Sequence, residues 1–223
     1  MSGLFVTATG TDCGKTFVTA GLLRHLRAAG LPARALKPVV SGFDPASPAG
    51  SDPAVLIEAM GEPFTPAALD AIAPLRFKAP LAPNMAARLE GRRLTLDDIL
   101  RLCAPALRAA RGPLLIEGAG GVMSPLAEGA TCLDAIMALR LPALLVTGSY
   151  LGAISHALTA HAAMWAAGCA PCAIALCESE GSGVSFAETL AEIAGFLPGV
   201  PLAPIRRGET DFGPLASVCG LLA

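Results

Sequence analysis

Residues 9–16 read TGTDCGKT and stand between an apolar run at residues 4–7 and an amphipathic stretch that begins at Thr16. A glycine-rich loop between a strand and a helix can turn its backbone amides toward phosphate oxygens, and the helix N-terminus adds positive potential there. In such a loop Lys15 can bridge the β- and γ-phosphates, and the Thr16 hydroxyl can ligate Mg²⁺. The segment therefore predicts a P-loop that binds a nucleoside triphosphate with Mg²⁺.

The loop departs from the generic pattern G-x-x-x-x-G-K-[ST] at its first position, which is Thr9. The alternative interpretation is an ordinary strand–turn–helix unit that contains Gly-Lys-Thr by chance. Because the predicted strand, the glycine-rich loop and the amphipathic helix all match the order of elements in a P-loop, we favour the phosphate-binding interpretation. The predicted nucleotide-binding residues of this segment are Asp12, Cys13, Gly14, Lys15, Thr16 and Phe17.

A carboxylate and a run of small residues, EGAGG at 117–121, follow a second predicted strand that reaches Glu117. Ligands of open α/β sheets bind at the carboxyl ends of the strands. Glu117 is therefore expected to hold Mg²⁺, directly or through water, opposite the P-loop. The alternative is a plain glycine turn with a solvated glutamate.

Lys37 lies near the end of another predicted strand, at about residues 33–39, and is expected at the same sheet edge as Lys15. A second ammonium group there could neutralise charge that builds on a transferring phosphoryl group. Asp52, which follows a polar loop, could add a second carboxylate to the metal. A solvated lysine at a strand end remains the alternative for Lys37.

Apolar runs alternate with helical periodicity along the chain, which is typical of a parallel sheet wrapped by helices. The pattern predicts an α/β, P-loop NTPase-like fold in a single domain over residues 1–223, with a mostly parallel sheet flanked by helices on both faces. Predicted strands cover residues 4–7, 33–39, 114–117, 143–147, 173–177 and 201–205. Predicted helices cover residues 16–29, 84–90, 95–110, 133–139, 152–167 and 185–196, with a short helix from residue 52.

Three local expectations accompany these elements. In the first helix Phe17, Leu22, Leu26 and Ala29 are expected to face inward. Residues 65–91 are rich in proline and are expected to form an irregular excursion that ends in a helix. Residues 141–177 contain no Asp, Glu, Lys or Arg, which we interpret as a strand, a helix covered on both sides and another strand. An uncharged helix also fits a subunit interface.

Composition excludes several classes of partner. Hydrophobic residues make up 53% and charged residues 15% of the 223 residues, and the net charge is −2. Without a basic stripe, nucleic acid is not expected as a partner. Prolines and glycines interrupt the uncharged stretch, so no membrane span is expected. The seven scattered cysteines are interpreted as structural thiols of a reducing compartment, which favours a cytoplasmic location.

Six motifs occur in order over about residues 4–165: TGTDCGKT, KPVVSG, SD, APLAPNMAARLEG, EGAGG and LGAISHALT. Together they resemble the dethiobiotin synthetases. The resemblance implies a cytoplasmic, homodimeric cyclo-ligase of biotin biosynthesis that uses ATP, Mg²⁺, CO2 and 7,8-diaminononanoate. Such enzymes form a carbamate, phosphorylate it to a carbamic–phosphoric anhydride and close the ureido ring, releasing dethiobiotin, ADP and phosphate.

The resemblance also implies roles for individual residues. The catalytic residues would be Lys37, Lys15 and Thr11, and the Mg²⁺ ligands would be Thr16, Asp52 and Glu117. The substrate would contact Ser41 and Asp12, and its carboxylate would meet a helix start of the partner subunit at Gly152, Ala153, Ile154 and Ser155. Beyond the P-loop, the nucleotide would contact Asp52, Glu117, Gly118, Ala119, Gly120, Pro204, Ile205 and Arg206.

One departure from the family pattern concerns the nucleotide base. The asparagine that reads the base in the family is absent, and Cys177-Glu178-Ser179 stands at that place. Pro204-Ile205-Arg206 stands where a proline and an aromatic residue often line the base. We therefore hypothesise a relaxed nucleotide preference.

The main alternative function is a regulatory P-loop ATPase of the partition or cell-division type. Such proteins carry an additional lysine near the start of the loop and often a basic amphipathic tail. This chain has Ala8-Thr9 at the loop start, and residues 218–223 are uncharged. A glutamine-dependent amide ligase and a translation-type GTPase fit less well, since neither nucleophile machinery nor an Asn-Lys-x-Asp motif is found.

Overall fold

The computed structural model describes residues 3–222. The strands are β1 Gly3–Ala8, β2 Arg34–Leu36, β3 Val39–Ser41, β4 Leu75–Phe77, β5 Leu114–Glu117, β6 Pro125–Ala127, β7 Ala130–Thr131, β8 Ala143–Gly148, β9 Ala173–Cys177 and β10 Leu202–Ile205. The helices are α1 Lys15–Ala28, α2 Asp52–Ala59, α3 Pro66–Ile72, α4 Pro83–Leu89, α5 Leu96–Ala109, α6 Cys132–Leu139, α7 Ala153–Ala166, α8 Phe186–Phe196 and α9 Gly213–Val218.

The main sheet is parallel and has the order β10-β9-β8-β1-β5-β2 over the described residues. Side chains of β1 alternate between its two faces, so that Leu4 and Val6 join one buried cluster and Phe5 joins another. Each face is covered by helices, with α1 on the first and α5 and α6 on the second. The predicted α/β class with helices on both faces is confirmed.

The register of the central strands brings the predicted site together. In β1, Val6 pairs with Glu117 of β5, and Ala8 pairs with Val146 of β8. Because all three strands are parallel, the loop after β1 and the carboxylate of Glu117 leave the sheet at the same edge. The P-loop therefore begins at a strand that is hydrogen-bonded on both sides.

The predicted strand at residues 33–39 is wrong in its extent. The strand β2 ends at Leu36, and residues 37 and 38 lie outside regular structure. Pro38 has no amide hydrogen for a sheet ladder, which favours a break at this point. The chain then turns away, and Val39–Ser41 pairs with Leu75–Phe77 in a separate two-stranded parallel sheet.

The inward positions predicted for the first helix are half right. Leu22 and Leu26 are fully buried, whereas Ala29 is exposed and Phe17 is 38% exposed. Phe17 lies in the first turn of α1, beside the P-loop, and its ring packs against the edge of Phe212 at 5.8 Å. Helical periodicity predicted a core position, but at the sheet edge that direction leads into an open cavity.

Elements that sequence periodicity missed are short. Residues 65–91 end in the expected helix α4, but they also contain α3 and β4, which were not expected. The antiparallel pair β6 and β7 was not expected either. The helix α7 is not covered on both sides, because Leu151 just before it is 89% exposed and Trp165 is 68% exposed. Its uncharged outer face is thus free within the chain.

Candidate functional site

Two residues of the P-loop have positive φ angles, which turn the backbone of the loop sharply. Asp12 adopts φ 57° and Gly14 adopts φ 93°, both in the left-handed region. Glycine is also required at position 14 for space, because a Cβ there would lie 2.8 Å from the Cys177 Sγ. The Lys15 ammonium donates a hydrogen bond to the Gly10 carbonyl at 2.9 Å and is buried. The Lys15 side chain thus links the end of the P-loop to its beginning.

Three oxygen-bearing side chains meet beside the loop. The Thr16 hydroxyl lies 2.9 Å from Asp52 Oδ1 and 2.8 Å from Glu117 Oε1. One hydroxyl proton can serve only one of the two carboxylates at a time. Glu117 is fully buried, and its second oxygen, Oε2, has no hydrogen-bond partner among the described residues. Hard oxygen ligands with spare lone pairs suit Mg²⁺.

Lys37 joins the two carboxylates from the other side. Its Nζ lies 2.5 Å from Glu117 Oε1 and 2.9 Å from Asp52 Oδ2. The Lys37 side chain is only 4% exposed, so the solvated strand-end lysine considered above is wrong. The position follows from the break after Leu36, where the Lys37 amide donates to the Ile72 carbonyl instead of to a neighbouring strand.

The pKa values of the two lysines shift in opposite directions. Burial lowers the pKa of Lys15, and the nearby ammonium of Lys37 lowers it further. Burial also acts to lower the pKa of Lys37, but Glu117 and Asp52 outweigh it and the pKa is raised. Burial acts to raise the pKa of Asp52, yet Lys37 and the Thr16 hydroxyl hold it below its ordinary value. Lys37 and Asp52 are therefore both charged at neutral pH.

A cavity of about 760 Å³, here called the lysine-side cavity, opens at this cluster. It brings together eleven of the predicted site residues: Thr11, Asp12, Gly14, Lys15, Thr16, Phe17, Lys37, Ser41, Asp52, Ala119 and Gly120. Sequence patterns did not predict its far wall, which Pro80, Leu81, Ala82 and Pro83 form. A proline-rich segment before a helix was the available signal.

A second cavity, of about 570 Å³, lies on the opposite side of the P-loop and is here called the arginine-side cavity. The predicted residues that line it are Asp12, Cys13, Gly14, Phe17, Ile205 and Arg206, and its other lining residues are Cys177, Glu178, Ser179, Glu180, Arg207 and Gly208. Glu178 accepts hydrogen bonds from Arg206 Nη1 at 3.3 Å and from the Arg207 amide at 3.2 Å.

Three predicted nucleotide-binding residues line neither cavity: the buried Glu117 described above, Gly118 and Pro204. Gly118 lies in the core, where an added Cβ would be 2.7 Å from the Cys132 Sγ, so its smallness serves packing. Pro204 lies in the edge strand β10 and is exposed. The residues that follow it, Ile205 and Arg206, turn toward the arginine-side cavity.

The helix start at Gly152–Ser155 is also separate from both cavities within one chain. Gly152 adopts φ 96° at the N-cap of α7, Ala153 is buried, and Ser155 is exposed. Tyr150 connects this region to the P-loop, because its hydroxyl lies 2.9 Å from His156 Nδ1 and 4.0 Å from Cys13 Sγ. Sequence reasoning missed this pair.

Comparisons with known proteins identify the family. The family model described as "AAA domain" matches residues 2–202. The ATP-dependent dethiobiotin synthetase BioD of Caulobacter sp. (strain K31) is 51% identical over 218 residues, which are 97% of this chain and 93% of the relative. The protein of the same name from Caulobacter vibrioides (strain NA1000 / CB15N) is 53% identical over 220 residues, covering 98% and 99% of the two chains. The chain belongs to the dethiobiotin synthetase family.

Membership in the dethiobiotin synthetase family confirms the resemblance on which the sequence prediction was based. The fold is shared more widely, because the hydrogenase maturation factor HypB from Archaeoglobus fulgidus superposes with a TM-score of 0.56 at 10% identity. That match covers 93% of this chain and 82% of HypB and concerns the fold alone. Within residues 3–222, none of the helices has both the length and the apolar character that crossing a membrane requires.

Proposed function

We propose that this chain converts 7,8-diaminononanoate, CO2 and ATP into dethiobiotin, ADP and phosphate. The observation that carries the proposal is the meeting of two lysines with Thr16, Asp52 and Glu117 at one cavity beside the P-loop. In a member of the dethiobiotin synthetase family, this cluster has the groups that phosphorylation of a carbamate requires. The partition-type alternative has no comparable support.

The reaction divides into steps that the side chains can assist. An amine of the diamine first takes up CO2 to form a carbamate, and a carbamate oxygen then attacks the γ-phosphorus while ADP leaves. The second amine attacks the anhydride carbon, and phosphate leaves as the ring closes. Lys15 and Lys37 would neutralise the negative charge that builds on the phosphoryl and carbamate oxygens.

Mg²⁺ would be held by Thr16, Asp52 and Glu117. The unpartnered Oε2 of Glu117 and the convergence of three oxygen ligands support this assignment. When bound, the ion would neutralise phosphate charge and orient the β- and γ-phosphates. The buried position of Glu117 fixes this side of the site before any ligand arrives.

The diamine would lie in the lysine-side cavity. Thr11, Asp12 and Ser41 line it near the loop and would contact the reacting amine end. The apolar wall at residues 80–83 suits a methylene chain, since it offers aliphatic surface without charge. The opposite end of this substrate is a carboxylate, which needs a separate partner.

A second copy of the chain would supply that partner through α7. The outer face of α7 presents the small exposed residues Ser155, Thr159, Ala162 and Ala166, between the exposed side chains of Leu151 and Trp165. Small residues allow close approach of two helices, and the backbone amides at Gly152–Ser155 can bind a carboxylate without a positive side chain. A homodimer would thus complete the substrate site.

An arginine on this face tests the dimer. We expect Thr159→Arg to shift the chain from dimer to monomer in light scattering and to raise the KM for the diamine. Affinity for ATP should change little, because both cavities beside the P-loop lie elsewhere. Thr210→Arg, at another exposed threonine, is the control. A Thr159→Arg protein that remains dimeric would contradict this interface.

The base of the nucleotide would occupy the arginine-side cavity. The chain has a single asparagine, Asn84, and no glutamine, and Asn84 lies in α4 and not at this cavity. Bidentate reading of adenine by a carboxamide is therefore not possible here. The charged groups at this cavity pair with each other instead, Arg206 with Glu178 and Arg207 with Glu180. We propose that selection among bases is weak, with ATP as one of several accepted nucleotides.

Turnover with ATP, CTP and GTP at equal concentrations tests base selection. We expect the three values of kcat/KM to agree within about tenfold, since one hydrogen-bonded pair contributes roughly 1–3 kcal/mol of discrimination. A preference for ATP of a thousandfold would show that the base is read by groups other than a carboxamide.

The decisive test of the function is product formation. The purified chain is mixed with the diamine, bicarbonate, MgCl2 and ATP, and mass spectrometry follows the cyclic urea. Omission of bicarbonate is the matched control. Hydrolysis of ATP without any cyclic urea, at saturating diamine and bicarbonate, would refute the proposed function.

A further inference from the structure

Lys37 contacts the carboxylate oxygens that the proposed metal site would use. Glu117 Oε1 lies 2.5 Å from Lys37 Nζ and 2.8 Å from the Thr16 hydroxyl. Asp52 divides its two oxygens in the same way, with Oδ2 at 2.9 Å from Lys37 and Oδ1 at 2.9 Å from Thr16. One ammonium group therefore occupies the space between both acidic residues.

We propose that Lys37 and the divalent cation compete for Asp52 and Glu117, so that metal binding releases the Lys37 ammonium into the lysine-side cavity. The inference rests on the proposed function only for the identity of the metal ligands. It assigns Lys37 two positions: one paired with the carboxylates and one directed at the reacting groups.

The charges of the cluster explain why the two cations exclude each other. A fully buried carboxylate such as Glu117 needs a counter-charge, and Lys37 supplies it. Mg²⁺ binds oxygen at about 2.0–2.1 Å, so a metal on these oxygens would lie within a few ångströms of Nζ. A monovalent and a divalent cation that close together repel strongly in a site largely shielded from water.

The geometry also indicates where the ammonium goes. The flexible four-carbon stem of Lys37 allows its Nζ to move without a change in the backbone. Lys37 lines the lysine-side cavity together with Lys15 and Ser41, so this cavity is open to it. The Asp52 side chain is 45% exposed whereas that of Glu117 is fully buried, so the Asp52 contact is the one that an incoming cation reaches first.

Metal affinity measures the competition directly. Binding of MnCl2 is followed by electron paramagnetic resonance, without nucleotide or diamine, for the wild type and for Lys37→Met. Removal of the competing ammonium should tighten Mn²⁺ binding by about tenfold or more, because two carboxylates are left without a counter-charge. Lys15→Met is the matched control, since Lys15 is a buried ammonium bonded to the Gly10 carbonyl, and it should give a smaller gain.

Equal or weaker Mn²⁺ binding by Lys37→Met would overturn the competition. So would the absence of measurable binding to both proteins, because the variant is expected to expose the metal site. Formation of dethiobiotin does not enter this measurement, so failure of the proposed function and failure of the competition are separate results.

A second measurement uses the wild type and does not depend on folding of the variant. The chain has three lysines, Lys15, Lys37 and Lys78, of which Lys78 is exposed. With ¹³C at the lysine ε-carbons, NMR follows all three during a titration with MgCl2, and Lys78→Arg and Lys37→Arg assign the signals of Lys78 and Lys37. The Lys37 signal should move and that of Lys78 should not. A Lys37 signal that stays in place at saturating MgCl2 would also overturn the proposal.

Discussion

The two sides of the P-loop use charge in opposite ways. On the lysine side, the ion pair of Lys37 and Glu117 has side chains that are 4% and 0% exposed. On the arginine side, the pair of Arg206 and Glu178 has side chains that are 58% and 32% exposed. Buried pairs are costly to break, whereas exposed pairs contribute about 0–1 kcal/mol. Buried ion pairing is thus concentrated where phosphoryl transfer is proposed, so an incoming divalent cation has to replace Lys37 as the counter-charge of the carboxylates.

The difference follows from where the two groups lie in the sheet. Glu117 ends β5, which lies between β1 and β2, and its carboxylate is enclosed by neighbours on every side. Glu178 and Arg206 follow β9 and β10, which form one edge of the sheet. Side chains at a sheet edge have fewer neighbours, so substitution there disturbs less of the structure.

The largest expected effect is that of Lys37→Ala. Product formation should fall by at least about 100-fold, because the positive charge that Lys37 would bring to the transferring group is lost. Nucleotide binding should remain, since the amides of the P-loop are unchanged. The measurements are kcat for dethiobiotin and the Kd for ATP, with Lys78→Ala as the control. Turnover at the wild-type rate would show that the lysine side is not catalytic.

The next largest effect is expected for Gly14→Ala. The new Cβ would lie 2.8 Å from Cys177 Sγ in addition to the strain of φ 93°. Gly30→Ala measures the cost of the positive φ angle by itself, because Gly30 has φ 80° and, apart from its chain neighbours, no atom of residues 3–222 lies within 4 Å of the added Cβ. Each should lose roughly 1–2 kcal/mol of unfolding free energy from φ alone. Only Gly14→Ala should also weaken ATP binding, which calorimetry can measure.

If both glycine variants lost ATP affinity equally, the close approach of Gly14 to Cys177 would not be what keeps the P-loop competent to bind ATP. If neither lost stability in urea unfolding, the positive φ angles would not be obligatory.

A moderate effect of Asp52→Asn is expected on the unfolding free energy at acid pH. Burial opposes ionisation of Asp52, but Lys37 and Thr16 hold its pKa below the ordinary value of 3.8. A carboxyl whose folded pKa is depressed adds stability above the unfolded pKa and loses it as the pH falls through the folded pKa. Between about pH 5 and about pH 2, the wild type should therefore lose more unfolding free energy than Asp52→Asn.

Urea midpoints at several pH values provide this measurement. Asp97→Asn, at a carboxylate whose side chain is 75% exposed, is the control and should keep the wild-type slope. A parallel slope for Asp52→Asn would mean that Lys37 gives Asp52 no net stabilisation.

The smallest effect is expected for Arg206→Ala on the arginine side. Its ion pair with Glu178 is solvent-screened, so the unfolding free energy should change by no more than about 1 kcal/mol. Its guanidinium also lies over the Phe186 ring at 4.3 Å, and a double-mutant cycle with Phe186→Leu separates the two contributions. A loss near 3 kcal/mol would show that the arginine side is as rigid as the lysine side.

The fold and half of the site could be predicted because both depend on strand ends. A parallel sheet places the loop after β1, Lys37 and Glu117 at one edge regardless of the details of packing. The point at which the chain leaves the main sheet, after Leu36, could not be predicted from apolar periodicity. Apolar residues stand on both sides of this point, at 35–36 and at 39–40. The direction of Phe17 depended on a cavity that only tertiary structure creates.

Phe212, the residue just before the last helix, connects the first helix to the arginine-side cavity. A Cβ at Gly21 would lie 2.2 Å from the Phe212 ring, so this ring fills the gap that the glycine leaves on α1. The Phe212 ring also packs against the ring of Phe17, which lines the arginine-side cavity. We therefore expect a substitution at Phe212, remote in sequence from the P-loop, to act on the arginine-side cavity through Phe17 without altering any residue of the loop.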